Sequence, residues 1–113
     1  MKIIYNPACS KCQATLALIR ENGVEPELIN YLDGVLTAED IEKVHQLLNA
    51  PVTDMVRQSD PVWCAAIDKR DLDEPEVYAL MAANPKIIER PIVIEGDRAI
   101  VCRPPEKVLA FFK

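Results

Sequence analysis

No apolar run in this chain approaches the ~20 residues that a helix needs to cross a bilayer. The short one at its start, "MKIIYNPAC", is too brief for the core of a secretory signal. The expectation is a cytoplasmic protein with no membrane partner. Low-complexity tracts, internal repeats and tails of like charge are also missing, which removes disordered and repeat architectures. The chain has one histidine, His45, and no second C-x-x-C, so the sequence does not assemble the four-ligand sets that hold zinc. Neither a metal nor a bound cofactor is expected. Nor is there an excess of basic charge: 13 Lys and Arg face 18 Asp and Glu, a net charge of −5. Nucleic-acid binding needs a cationic surface to displace counterions, so no nucleic-acid partner is expected.

What remains is a chain of 113 residues, half of them apolar. That is enough for one domain over residues 1–113, with a hydrophobic core that needs no staples. A monomer is the default expectation. Four cysteines in a cytoplasmic chain point to reduced, catalytic or metal-binding thiols rather than a disulfide framework.

Hydrophobic periodicity predicts a strand at "KIIY" (2–5), a helix from about Ser10 to Asn22 stopped by Gly23, and a strand at "ELINY" (27–31). Strand, helix and strand over some thirty residues form a parallel βαβ unit. Thr37 and Asp40 resemble a capping box opening a helix to about Ala50, with Ile41, Val44, Leu47 and Leu48 on one face. Thr53 is read as the cap of a short turn carrying Arg57. Asp73 and Glu76 repeat the capping pattern before a helix that Asn84 and Pro85 stop. "PIVIEGDRAIVC" reads as a hairpin turning through Gly96, and "PPEKVLAFF" as a terminal helix. The order is βαβ, a helical insertion over about 37–84, then ββα. The fold class is therefore α/β, a thioredoxin-like mixed sheet with helices on both faces, which does not by itself give a function.

The chemistry concentrates in "NPACSKC". Cys9 falls where strand gives way to helix, and there unpaired N–H groups and the helix dipole favour a thiolate and can hold an oxyanion. Cys12 lies one turn further on, near enough for a disulfide, yet on the apolar face with Leu16 and Ile19. It reads equally as a resolving thiol or as a small packing residue. Cys64 and Cys102 read as structural. His45 falls on the polar side of its helix and reads as solvated. Three arginines stand out by context: Arg57 in "DMVRQSDPVW", Arg90 in "IIERPIVI" and Arg103 in "VCRPPEKVL". Guanidinium forks bind tetrahedral oxyanions in a bidentate way that lysine cannot copy.

From end to end the sequence resembles the glutaredoxin-dependent arsenate reductases, the ArsC family, on the landmarks "YNPAC", "TLALIRENGVEPELINYL", "NPKIIERPIVI" and "CRPPEKVL". The resemblance implies a thioredoxin-like fold with a helical insertion and an oxidoreductase acting on arsenate or a similar oxyanion. It implies Cys9 as nucleophile, Arg57, Arg90 and Arg103 as the oxyanion cage, glutathione as reducing cosubstrate and glutaredoxin as partner. It also implies a cis Arg90–Pro91 bond close to Cys9, and a cis bond essentially requires proline. Members of that family usually carry serine and then arginine where this chain has Cys12 and Gln13, and histidine where it has Tyr5. Cys12 therefore opens another route, attack on Cys9 followed by reduction with thioredoxin. The C-x-x-C is closer to the related Spx-type regulators, which sense oxidation with such a pair and bind RNA polymerase. The "RPPE" context of Arg103 fits the reductases better, and Spx-type chains usually have arginine directly after the second cysteine. Reductase is the favoured reading.

Overall fold

The computed structural model describes residues 1–112. Its sheet has four strands: β1 (Lys2–Tyr5), β2 (Glu27–Asn30), β3 (Ile92–Glu95) and β4 (Arg98–Val101). Their order is β2-β1-β3-β4, with β1 and β2 parallel and the pairs β1/β3 and β3/β4 antiparallel. This is the expected thioredoxin-like mixed sheet. Gly96, at φ 59°, supplies the positive φ that the tight turn between Glu95 and Arg98 requires.

Successive side chains of a strand point to opposite faces, so β1 feeds two cores. Ile3 packs with Ile19, Val93, Cys102 and Val108 under α1 (Ser10–Glu21) and the C-terminal segment Pro105–Phe112. Ile4 packs with Tyr31, Ile41, Trp63, Val77, Met81 and Ile92 beneath the helices that link β2 to β3. Fully burying one such isoleucine contributes about 1.5–3 kcal/mol. Those linking helices are α2 (Ala38–Leu48), α3 (Pro61–Lys69) and α4 (Glu74–Ala83). Both expected capping boxes form, Thr37 with Asp40 on α2 and Asp73 with Glu76 on α4.

Four local expectations fail. Helix α3, capped by the Asp60 side chain on the Val62 N–H, has no counterpart in the sequence reading. Thr53 caps nothing; it lies inside a 3-10 turn, Val52–Met55, that opens at Pro51. The terminal segment winds as a 3-10 helix from Pro105, and nothing in its residues explains the tighter winding. His45 is not a solvated side chain but a strut. Its Nε2 donates to the Ala50 carbonyl at 2.8 Å, and its Nδ1 is hydrogen-bonded to the Tyr78 hydroxyl at 2.6 Å, tying α2 to α4.

The strand register decides where function can collect. Tyr5 pairs with Asn30, Ile4 with Ile92, and Ile92 with Val101. The exits of β1, β2 and β4 and the entrance of β3 therefore share one end of the sheet. The residues just outside that end are the Cys9 loop, Tyr31, Arg90 and Arg103.

Candidate active site

The Asn6–Cys9 turn carries the chain from β1 into α1. Asn6 folds it in three ways: its Oδ1 accepts the Ala8 N–H at 2.9 Å, its carbonyl accepts the Cys9 N–H at 3.0 Å, and its own N–H donates to Cys12 Sγ at 3.4 Å. The Gln13 side chain turns back to donate to the Pro7 carbonyl at 2.6 Å and braces the same loop.

Cys9 is the N-cap of α1 and is extended, at φ −92° and ψ 122°. Its sulfur occupies the place of a capping oxygen without making a formal cap bond, and the free N–H groups of the first turn face it. Burial works against its ionisation. The Cys12 N–H, the Cys12 thiol, the Arg90 guanidinium and the Lys11 N–H outweigh that cost and bring the thiol down to about 7. Cys12 moves the opposite way. Burial pushes it up to about 11, against the pull of the Asn6 N–H, and the neighbouring Cys9 thiolate adds to the rise. The pair therefore shares one proton near neutrality, with Cys12 as donor and Cys9 as acceptor. Cys12 is also buried, as are Leu16 and Ile19 further along α1.

The three arginines reach this end of the sheet differently. Arg90, at the entrance of β3, sets its guanidinium beside Cys9. The Arg90–Pro91 bond is cis, as is Arg103–Pro104. Arg103 Nη1 donates to the Arg90 carbonyl at 2.9 Å, and its Nε lies 3.7 Å from Glu89 Oε1. Arg103 thus supports the backbone of Arg90 and is paired with an acid instead of facing Cys9. Arg57 is held through its backbone. Its N–H donates to the Ile87 carbonyl at 2.7 Å, and the Glu89 N–H donates to the Met55 carbonyl at 2.6 Å, flanking an antiparallel bridge between Val56 and Ile88. Its guanidinium joins none of the ion pairs among the described residues. Burial raises the phenol of Tyr31, and the charges of Arg90, Cys12, Arg57 and Cys9 act on it as well.

Asn6 and Tyr31 are the members of this cluster that sequence reasoning missed. Tyr31 was read as the last apolar residue of a strand, although a phenol at a strand end is a polar tip on an apolar body. Of the remaining thiols, Cys102 is structural as expected, buried, with burial pushing it up to about 12. Cys64 is not; it is exposed on α3, its thiol donating to the Gln58 carbonyl at 3.4 Å. No group of three or more metal-ligating side chains gathers among the described residues, and no helix there is long and apolar enough to cross a membrane.

Known proteins resemble this chain in sequence and fold along nearly its whole length. The family model described as "ArsC family" matches residues 4–111. A relative from Escherichia coli K12, called uncharacterized protein YfgD, is 37% identical over 111 residues, covering 96% of this chain and 93% of its own. The arsenate reductase of Haemophilus influenzae is 36% identical over 109 residues, covering 95% and 94%. Among solved structures, the arsenate reductase from Vibrio cholerae superposes with a TM-score of 0.90 at 36% identity, over 96% of this chain and 94% of that one. With a family match over residues 4–111 and relatives of more than 30% identity spanning nearly its whole length, the chain belongs to the ArsC family.

Proposed function

We propose that this protein is a thiol-dependent oxidoreductase that reduces arsenate, or a closely similar oxyanion, at Cys9. The observation that carries the reading is a sulfur brought down to about 7 at a helix N-terminus, with the Arg90 guanidinium beside it. A nucleophile and an oxyanion site in one place are what attack on a tetrahedral anion needs. The relatives named arsenate reductase supply the substrate class.

The Cys9 thiolate attacks arsenic, an S–As bond forms, and one oxygen departs as water after taking up protons. Arg90 and Arg57 balance the charge on the remaining oxygens. Arg103 joins them by exchanging Glu89 for the anion. The thiolate of glutathione then attacks Cys9 Sγ; an S–S bond forms, the S–As bond breaks, and its electron pair stays on arsenic, which leaves as As(III) arsenite. The Cys9–glutathione disulfide is returned to thiol by exchange with glutaredoxin. No resident cofactor takes part, and the setting is a cytoplasmic monomer.

One contact favours a second route. Cys12 already donates its proton toward Cys9, and capping Cys9 with arsenic removes the Cys9 share of the rise in Cys12, leaving burial, the larger cause, and the opposing Asn6 N–H. Cys12 can then attack Cys9 Sγ with the same electron flow, leaving an internal disulfide for thioredoxin. To test the proposal, arsenite would be quantified after incubating reduced protein with arsenate, glutathione and glutaredoxin. Turnover is expected in the wild type and none in Cys9→Ser; an idle wild type rejects the activity. Peptide mass spectrometry of the same reaction separates the routes. A glutathione adduct on Cys9, with turnover kept in Cys12→Ser, supports the first, and a Cys9–Cys12 bridge supports the second.

A further inference from the structure

Tyr31 carries a contradiction. Its side chain is completely buried, its hydroxyl oxygen is sealed from solvent, and that hydroxyl has no hydrogen-bond partner among the described residues. A buried polar group left unpaired destabilises a fold by about 1–3 kcal/mol, and phenylalanine would fill the same space without that cost. A second orphan stands close by. The Nε of Arg90 is equally sealed and unpaired. The two are chemical complements, because the guanidinium Nε–H only donates and a phenol oxygen accepts. They also stand at one end of the sheet, Tyr31 directly after β2 and Arg90 shortly before β3, with β1 between those strands. After burial, which raises the phenol, Arg90 is the charge that Tyr31 feels most, and Tyr31 is likewise the group that Arg90 feels most after its own burial.

We propose that the Tyr31 hydroxyl is a positioning group for Arg90, accepting its inward Nε–H and so turning both Nη groups of the fork toward Cys9 and an oxyanion bound there. A guanidinium can present either its Nε edge or its double-Nη end to an anion. Occupying Nε from behind leaves only the end, and the bond closes as negative charge gathers on Cys9 or on the anion. Arg103 Nη1 already holds the Arg90 carbonyl, and closure of the Tyr31 bond adds a second hold at the far end, on an Nε that has no partner while the bond is open. The part of this role that concerns an oxyanion rests on the function proposed above. The part that acts on the Cys9 thiolate does not.

The test is the pH dependence of Cys9 alkylation by iodoacetamide, read on the Cys9 peptide because Cys9 is half-buried and Cys64 exposed. Tyr31→Phe is expected to keep or raise the melting temperature while moving the Cys9 midpoint upward by about half a pH unit, close to a threefold loss of thiolate. In an Arg90→Lys background, which lacks the fork, the same substitution is expected to add no further shift. An unmoved midpoint, or an equal shift in both backgrounds, overturns the positioning role. Arsenate turnover by the wild type is scored separately. If the midpoint moves as expected while the wild type does not reduce arsenate, the positioning of Arg90 stands and the substrate falls; if arsenate is reduced but the midpoint stays, the reverse holds.

Discussion

Cys9 and Cys12 are one helical turn apart, and their protons belong to the pair, which titrates with apparent values of about 7 and about 11. In the unfolded chain both thiols return to their ordinary value of 9.0. Between pH 7 and 9 the unfolded chain therefore holds one more proton than the folded one, and stability rises with pH. Above 9 the order reverses: the folded protein still holds the Cys12 proton, and stability falls toward pH 11. Urea melts under reducing conditions should show this maximum near pH 9 in the wild type, with the rising limb absent in Cys9→Ser. A flat difference between the two proteins would mean that folding does not lower the Cys9 thiol. Glu89 offers a second test at the same scale. It lies 3.7 Å from Arg103, and on the function proposed above it competes with the oxyanion for that guanidinium. Glu89→Gln removes the competing charge, so the arsenate KM is expected to fall several-fold in steady-state assays. An unchanged or higher KM would place Arg103 outside the cage.

At the scale of elements, the chain was legible wherever local chemistry decides structure. The capping boxes of α2 and α4, the Gly96 turn and the β-branched strands form where the sequence put them, because each signal acts on its own neighbours. Thr37→Ala and Asp73→Ala are each expected to cost about 1 kcal/mol in urea unfolding while leaving the Cys9 alkylation midpoint unchanged. A shift in that midpoint would mean that α2 or α4 reaches the site. Helix α3 escaped because only Trp63 of its nine residues is buried, so an apolar stripe is hardly present. The strut at His45 escaped for another reason: Tyr78 is 33 residues away, and no period within a helix reports such a partner. The site divides along the same line. Cys9 could be read from its place between strand and helix, whereas the differing situations of Arg57, Arg90 and Arg103 depend on which strand ends meet. Tyr31 shows the limit best, since its burial and its lack of a partner exist only once α2, α4 and β3 have closed over it.

The whole molecule is two cores divided by a thin sheet, and its only tryptophan reports on one of them. Trp63 belongs to the larger cluster beneath the linking helices, whereas Ile19 belongs to the smaller one under α1 on the opposite face. The strands between them are four residues long, so neither face has much sheet of its own to stand on. β1 feeds both clusters through adjacent residues, Ile3 and Ile4, and losing either packing layer exposes the strand that anchors the other. The two cores should therefore unfold as one unit. Ile19 is fully buried, and truncating such a residue to alanine costs about 2–5 kcal/mol, a large part of the roughly 5–15 kcal/mol that holds a domain folded. Ile19→Ala is expected to lower the urea midpoint of Trp63 fluorescence and that of far-UV circular dichroism by the same amount, although the substitution and the fluorophore lie on opposite faces. If the dichroism midpoint falls while the fluorescence midpoint holds, the larger core stands without α1. Cys9 would then sit on an element that can open separately, and its alkylation in the folded protein should accelerate well beyond what its ionisation allows. Coincident transitions would instead tie the reactivity of Cys9 to the stability of the entire chain.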